Sequence, residues 1–432
     1  MALNRPLLVI VGGALAVVLA SVGGTAYVTL RTGALEERLV REAQALARAE
    51  YARPSHGTPA LPGSFAERLE PLMDELRRLY QQRPEAPEEQ GGQWPCRPVM
   101  EGSAPASELP ARCRESLERG RAQVRRVLEA TRAEVGGLPE GLRALAAPGD
   151  SRKGDSGMAL LYGVKLAALE TRLLVAEGRA EEAVDVCLDT LALSRELTLG
   201  GGLIGQMLSA SAHGLAYRPC AEALDGAPVE VKRTAAARLA RLAEGFAPLS
   251  LTLKEESVTL QLMLFADLLS AKTLAELPAS ARALTGAAMG LEVPGNPLDA
   301  RLSWHKTVKV FDALVPVADG LPGHRQRAFT AIDARDDGAL YTVEGPEAAT
   351  YHRFAERMDV RRLQHGALLM LAEVDLKRAE TGRWPESPSG DGLVLEPSGP
   401  SEALLRPCDS GLKEHALRVT ADGPRNPWAE AH

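Results

Sequence analysis

Residues Leu7 to Leu30 run for 24 positions without an acidic, basic or histidine side chain. At 1.5 Å per residue, a helix of that length crosses the roughly 30 Å hydrocarbon core of a bilayer. Arg5 precedes the stretch and Arg31 follows it, so residues 1–31 read as an uncleaved transmembrane signal anchor. Gly24-Thr25-Ala26 loosely offers a small-x-small cleavage site, which keeps a removable secretory signal open as the alternative. No cysteine follows a Leu-x-x lipobox, which argues against a lipoprotein. The flanking charges, Arg5 against Arg31, Arg38, Arg41 and Arg48, taken literally hold the large domain in the cytoplasm. A large domain crosses regardless of such a bias, however, and a short leading tail usually stays inside. The expectation is a single-pass inner-membrane protein with a periplasmic C-terminal domain.

Inside the stretch, Gly12, Ala16, Ala20 and Gly24 recur every four residues and would form a strip of small side chains on one helix face. Such a strip lets two membrane helices approach closely, so a homodimer through this face is one expectation. Chance spacing in an Ala/Gly-rich sequence is the plainer reading.

Net charge is −7, with arginine and glutamate interspersed rather than segregated. Nucleic-acid binding needs a clustered basic face, so no nucleic-acid partner is expected. Only 4% of residues are aromatic, which leaves little material for base-stacking or sugar-binding platforms. Abundant Ala, Leu, Arg and Glu favour helix nearly everywhere, and the fold class expected is all-α.

Hydrophobic spacing divides the chain further. Leu35, Leu39, Ala43, Leu46 and Ala47 recur at helical steps and suggest an amphipathic stalk continuing to about Tyr51. Ser64 and Glu67 stand at capping-box spacing ahead of Phe65, Leu69, Leu72, Leu76 and Leu79, which share one helix side. Residues 83–110 are rich in Pro, Gly, Glu and Ser and read as a long loop, followed by a helix over 111–135. A boundary is placed near Asp150, so that residues 32–150 are stalk helices and linker. Helices follow at 158–176 and 180–199, joined at Gly178, and then at about 229–245, 250–276, 279–289, 298–318 and 346–381. The uncharged run Leu197 to Tyr217 contains Gln206, Ser209 and His213 and reads as a buried core helix rather than a second span. Residues 151–381 form an irregular superhelix of helical hairpins, and 382–432 a small tail with a possible β-hairpin at Leu393–Leu395 and Leu417–Val419.

The run Ala176-Glu177-Gly178-Arg179-Ala180-Glu181-Glu182-Ala183 resembles the corner between the helices of tetratricopeptide repeats, over about one repeat. A shift of about 34 residues lands on Ala212 to Tyr217, which does not match, so a regular array is not expected. The order of anchor, helical hairpins and Gly382-Arg383-Trp384-Pro385 resembles uncharacterised membrane-anchored helical proteins of bacteria. A helix ending in Glu380-Thr381-Gly382-Arg383-Trp384-Pro385, with Asn426-Pro427-Trp428 beyond it, is also similar to the layout of type II secretion pseudopilins. Their processed Gly-Phe-Thr-Leu-x-Glu leader is absent, and they lack so large an intervening helical domain.

Cys96 and Cys113 flank a Pro/Ser/Gly-rich loop and are natural disulfide partners in an exported domain. Cys187 and Cys220, on neighbouring helices, read as two buried thiols. No zinc-ligand spacing is present, and no metal or cofactor is expected. Gly154-Asp155-Ser156-Gly157 copies the nucleophile tetrad of trypsin-like proteases, but it sits in a helical chain with only His56 upstream, and a turn is the plainer reading. Ser303 and Lys306 have Ser-x-x-Lys spacing without the companion motifs of penicillin-recognising enzymes. Glu255 could act as an acid or base, although helix carboxylates are usually solvated or paired. His213, His305 and His365 lack zinc-binding spacing, and Trp304 marks either a contact patch or a core filler. No catalytic, cofactor or metal residue is therefore assigned. The expectation is a non-enzymatic scaffold of the cell envelope that binds an unknown protein through a concave face around 158–275. A component of a secretion or pilus apparatus and an envelope hydrolase are the alternatives.

Overall fold

A computed structural model describes residues 30–57, 59–84, 94–146, 151–285, 297–334, 348–385, 392–399, 402–408 and 416–420. The apolar stretch up to Thr29, its strip of Gly12, Ala16, Ala20 and Gly24, and Asn426-Pro427-Trp428 lie outside these residues. Among the described residues, no helix is long and apolar enough to cross a membrane.

The fold is mainly helical. A helix over residues 30–47, α1, comes first. Strands β1 (Tyr51–Ala52) and β2 (Leu61–Ser64) lead into α2 (Phe65–Leu69) and α3 (Met73–Gln81), with a 3-10 turn containing Pro71 between the two helices. Helices α4 (Arg97–Glu101) and α5 (Ala111–Ala130), strand β3 (Ala133–Gly136), and helices α6 (Ser151–Ala176), α7 (Ala180–Glu196), α8 (Gly202–Asp225) and α9 (Val229–Glu244) follow. Then come α10 (Leu249–Leu264), α11 (Ala271–Glu276), α12 (Ala279–Thr285), α13 (Pro297–Leu314), α14 (Pro322–Ala334) and α15 (Ala348–Thr381). Strands β4 (Leu393–Pro397), β5 (Glu402–Pro407) and β6 (Leu417–Thr420) close the described chain.

These elements form two compact units, each discontinuous in sequence. One comprises Met1–Ala49, Leu145–Gly149 and Leu253–Tyr351, the other Glu50–Ala144, Asp150–Thr252 and His352–His432. The sequence reading placed linear segments at 32–150, 151–381 and 382–432. A hydrophobic stripe shows that a helix needs a partner but not which one, and here the partners are remote in sequence.

In the smaller unit, the expected stalk is a packed helix. Leu39, Val40 and Ala43 of α1 share a buried core with Val258 and Leu262 of α10, Leu284 of α12, and Trp304 and Val308 of α13. Trp304 fills that core, stacked on Phe265 at 5.7 Å and donating its Nε1–H to Gln261 Oε1 at 2.8 Å. Arg38 makes a fork on Asp312, at 2.6 and 2.8 Å.

The larger unit is organised on α6, α7 and α8. Gly178, at φ +73°, ends the first helix in the left-handed conformation that favours glycine, and α7 returns beside α6. One period on, Ala212–Tyr217 lies inside α8, so the corner does not recur there. The run from Leu197 to Tyr217 is helical from Gly202 onward and largely buried. Ser64 and Glu67 form the reciprocal capping box, and the apolar side of α2 and α3 is buried as expected. The helix expected over 111–135 ends at Ala130, and the last residues of that range instead form β3, which pairs antiparallel with β1 and parallel with β2. The C-terminal strands form an antiparallel meander, β4-β5-β6, instead of a hairpin. Leu393, Leu395, Ala403, Leu405, Leu417 and Val419 alternate onto its inner face and share a core with Leu363, Ala367 and Leu371 of α15.

Candidate functional site

The most unusual feature of the larger unit is a layer of buried charge. On α7, Asp185, Asp189 and Glu196 fall at steps of four and seven and so share one face. The segment after β1 brings Arg53 and His56 to that face, and the end of α5 brings Arg132. Glu196 Oε1 accepts from Arg53 Nε at 2.8 Å and from Arg195 Nη2 at 2.7 Å, and its Oε2 accepts from the Gly137 amide at 3.2 Å. Arg53 also donates to the carbonyls of Thr131 and Ala133, and Arg195 to that of Pro54. All three charged side chains are at most 1% exposed, so one carboxylate balances two guanidiniums out of water.

Asp189 is the second centre. Its carboxylate accepts from His56 Nε2 at 2.8 Å, from Arg132 through Nε and Nη2, and from Arg238 Nη2 at 3.1 Å. Burial alone would raise the Asp189 pKa, but the bonds from His56 and Arg132 outweigh it and hold the carboxyl below its usual range. Burial lowers His56 to about 4 against the pull of Asp189, so the imidazole is neutral at pH 7. Its Nε2–H then faces Asp189, and Nδ1 has no hydrogen-bond partner among the described residues.

The third centre joins α8 to α15. Gln206, Ser209 and His213 share one face of α8, and Arg361, Gln364 and His365 one face of α15. His365 Nε2 lies 2.8 Å from the Leu239 carbonyl, which only accepts, so that nitrogen carries the proton. His213 Nε2 lies 3.4 Å from His365 Nδ1, and His213 Nδ1 lies 3.3 Å from Gln364 Oε1; both facing atoms are acceptors, so the single proton of a neutral His213 serves one of the two contacts. Burial lowers His365 to about 4 and holds His213 well below its ordinary value, so both imidazoles are neutral. Arg361 Nη1 donates to Gln206 Oε1 at 2.9 Å and Ser209 Oγ at 2.7 Å, and its guanidinium lies 4.4 Å from the centre of the Phe246 ring.

Two surface clefts accompany this layer. One, of about 320 Å³, is lined by Val99, Pro105 and Val175, with the Arg172–Glu222 ion pair (2.8 Å) among its lining. Arg172 Nε also donates to Met100 O, and its guanidinium lies so close to Gly102 that a Cβ there would collide with it. Burial raises Glu222 and lowers Arg172, and their mutual attraction opposes both shifts. The other cleft, of about 420 Å³, holds Arg121 and Arg125 against the buried Glu170.

The cysteines form two pairs. Cys96 is bonded to Cys113, closing the loop that carries one wall of the first cleft. Cys187 is bonded to Cys220, joining α7 to α8, where the sequence suggested separate thiols. Spacing within one helix does not reveal that two Cys side chains face each other across helices. Cys408 is free and exposed.

The serines picked out by motif are not brought to a base. Ser156 lies buried within α6, not in a linker turn, and accepts from Arg77 Nη1 at 3.4 Å, whereas His56 is committed to Asp189. Ser303 donates to the Asp299 carbonyl one turn earlier in α13. Glu255 is buried in the smaller unit. His213 and His365, read singly, meet as a pair. Arg53, Asp189, Glu196 and Arg361 were not singled out; Arg53 lies in a loop without periodicity, and the helical spacing of the other three was legible, but a charged face reads the same whether it meets water or protein.

Compared with known proteins, the chain matches no family model, no curated protein and no solved structure.

Proposed function

We propose that this chain is a single-pass, membrane-tethered helical scaffold of the bacterial cell envelope, with its large domain on the oxidising, periplasmic side, binding a protein partner without catalysing a reaction. The observation that carries this reading is the pairing of four of the five cysteines, Cys96 with Cys113 and Cys187 with Cys220. Disulfides persist in oxidising compartments and are rare in a reducing cytosol. The 24 uncharged residues from Leu7 to Leu30 supply the tether. The chemistry of the buried layer fits a scaffold as well, because each carboxylate in it is already engaged by cations and His56 is neutral and fully buried.

A C-terminal fusion tests the reading directly. Active alkaline phosphatase with a dark fluorescent protein is the expected result, and the reverse pattern overturns the compartment. Carbonate washing should leave the chain in the membrane. Crosslinking should recover a stable protein partner, and alanine at Ser156, Ser303 or Glu255 should leave that capture intact; a lost function in any one of them favours an enzyme.

A second reading, membership of a secretion or pilus-type apparatus, draws on one feature. A 34-residue helix, α15, leads through Trp384, whose Nε1–H meets the Gly399 carbonyl, into a three-stranded antiparallel sheet. Deleting residues 382–432 should then abolish co-fractionation with that machinery.

A further inference from the structure

We propose that Arg361 is the core of a buried binding site for a small free oxyanion, of carboxylate or phosphate type. The argument is independent of the scaffold reading. A guanidinium carries five N–H donors and no acceptor. In Arg361 the two on Nη1 are used, by Gln206 Oε1 and Ser209 Oγ. Nε and Nη2 are buried and have no hydrogen-bond partner among the described residues, which leaves three donors, two of them, Nε–H and one Nη2–H, on one edge. That edge presents two parallel N–H groups, the geometry that takes a carboxylate or phosphate with two bonds at once.

The charge balance around it points the same way. Arg53, Arg195 and Arg238 each touch a carboxylate, and Lys232 meets Asp375. Arg361 is 1% exposed and, among the described residues, has no ion-pair partner. Its hydrogen-bond partners are the neutral Gln206 and Ser209, one face of the guanidinium is taken by Phe246, and the nearby His213 and His365 are uncharged; the carboxylate of Asp359 acts on it through space only, opposed by Arg362. Phe246 also packs its ring against both imidazoles, at 6.3 and 5.6 Å. Burying a cation without a carboxylate in contact is costly, and an anion on the free edge would offset that cost and satisfy the two parallel donors.

Isothermal titration of the intact protein with inorganic phosphate and with acetate, at ionic strength held constant by chloride, tests the proposal. One saturable site per chain is expected for at least one of the two. Arg361→Lys, which keeps the charge but loses the paired edge, should weaken it at least tenfold, and Arg361→Gln should abolish it. Binding that survives in Arg361→Gln belongs elsewhere and overturns the assignment. Should the variants fail to fold, the wild type decides alone: crystals soaked in selenate should give an anomalous peak within hydrogen-bond distance of Nε and Nη2. Ordered water there, with no peak and no saturable heat, refutes the site.

Discussion

Arg38 in the smaller unit and Arg53 in the larger one both reach a carboxylate far away in sequence, but in different surroundings. The Arg38–Asp312 side chains are 38% and 49% exposed, whereas Arg53 and Glu196 are at 1% and 0%. Water screens the first pair and contributes nothing to the second, so the same chemistry should be nearly neutral in one place and decisive in the other. What separates the units is therefore less the number of charges than their distance from solvent. The larger unit has placed its ionic network where loss of any one member leaves the others stranded.

Acid should expose that difference most strongly. His56 and His365 are held at about 4, against an ordinary value near 6.5, and His213 is also held well below that value, in each case chiefly by burial. Because the unfolded chain takes up protons that the native one refuses, the stability tied to these groups is complete above pH 6.5 and drains away as pH falls from 6.5 towards 4. Each of His56 and His365 contributes about 3 kcal/mol over that window, as an upper bound. Urea midpoints taken between pH 7.5 and 4.5 should fall steeply, and His365→Gln should flatten the slope. A level profile would contradict the buried neutral imidazoles.

Next in size is Glu196→Gln. It leaves Arg53 and Arg195 buried without their shared carboxylate and should cost about 3–5 kcal/mol in urea unfolding. Close behind come the cystines. Loop-closure arithmetic assigns about 3 kcal/mol to Cys96–Cys113 and about 4 kcal/mol to Cys187–Cys220, from separations of 17 and 33 residues. Cys187→Ser/Cys220→Ser should lower the unfolding free energy by that amount and make it insensitive to dithiothreitol at that pair. An unchanged midpoint would mean the bond is not formed in solution.

How much of this could be read beforehand varies with the kind of signal. Local ones were legible: the Ser64–Glu67 cap, the left-handed turn at Gly178, and the apolar stripe from Phe65 to Leu79 all became what their spacing implies. Signals that need a partner were not. The stripe on α1 looked like a stalk because its partners, Val258 and Trp304, lie more than two hundred residues away. Two-residue β1 is too short to carry a period. The His213–His365 pair and the Asp189 cluster depend on which helix faces meet, and polar residues at helical steps are silent on that. Cys96–Cys113 was accessible because its loop is short and rich in breakers, Cys187–Cys220 was not because each residue belongs to a regular helix.

The smallest effect makes the sharpest test of the comparison. In the smaller unit, Asp312→Asn removes the carboxylate that Arg38 grips with two bonds, and Arg38 keeps its i,i+4 partner Glu42 at 2.7 Å. Both side chains remain in contact with water, so the released charge is rehydrated instead of stranded, and the expected loss is about 0.2–1 kcal/mol, shrinking further at high salt. A double-mutant cycle on Arg38 and Asp312, set beside the Glu196 variant under the same conditions, measures the ratio directly. If Asp312→Asn proved as damaging as Glu196→Gln, exposure would not be what distinguishes the two networks, and the buried layer would lose its claim to dominate the stability of the larger unit.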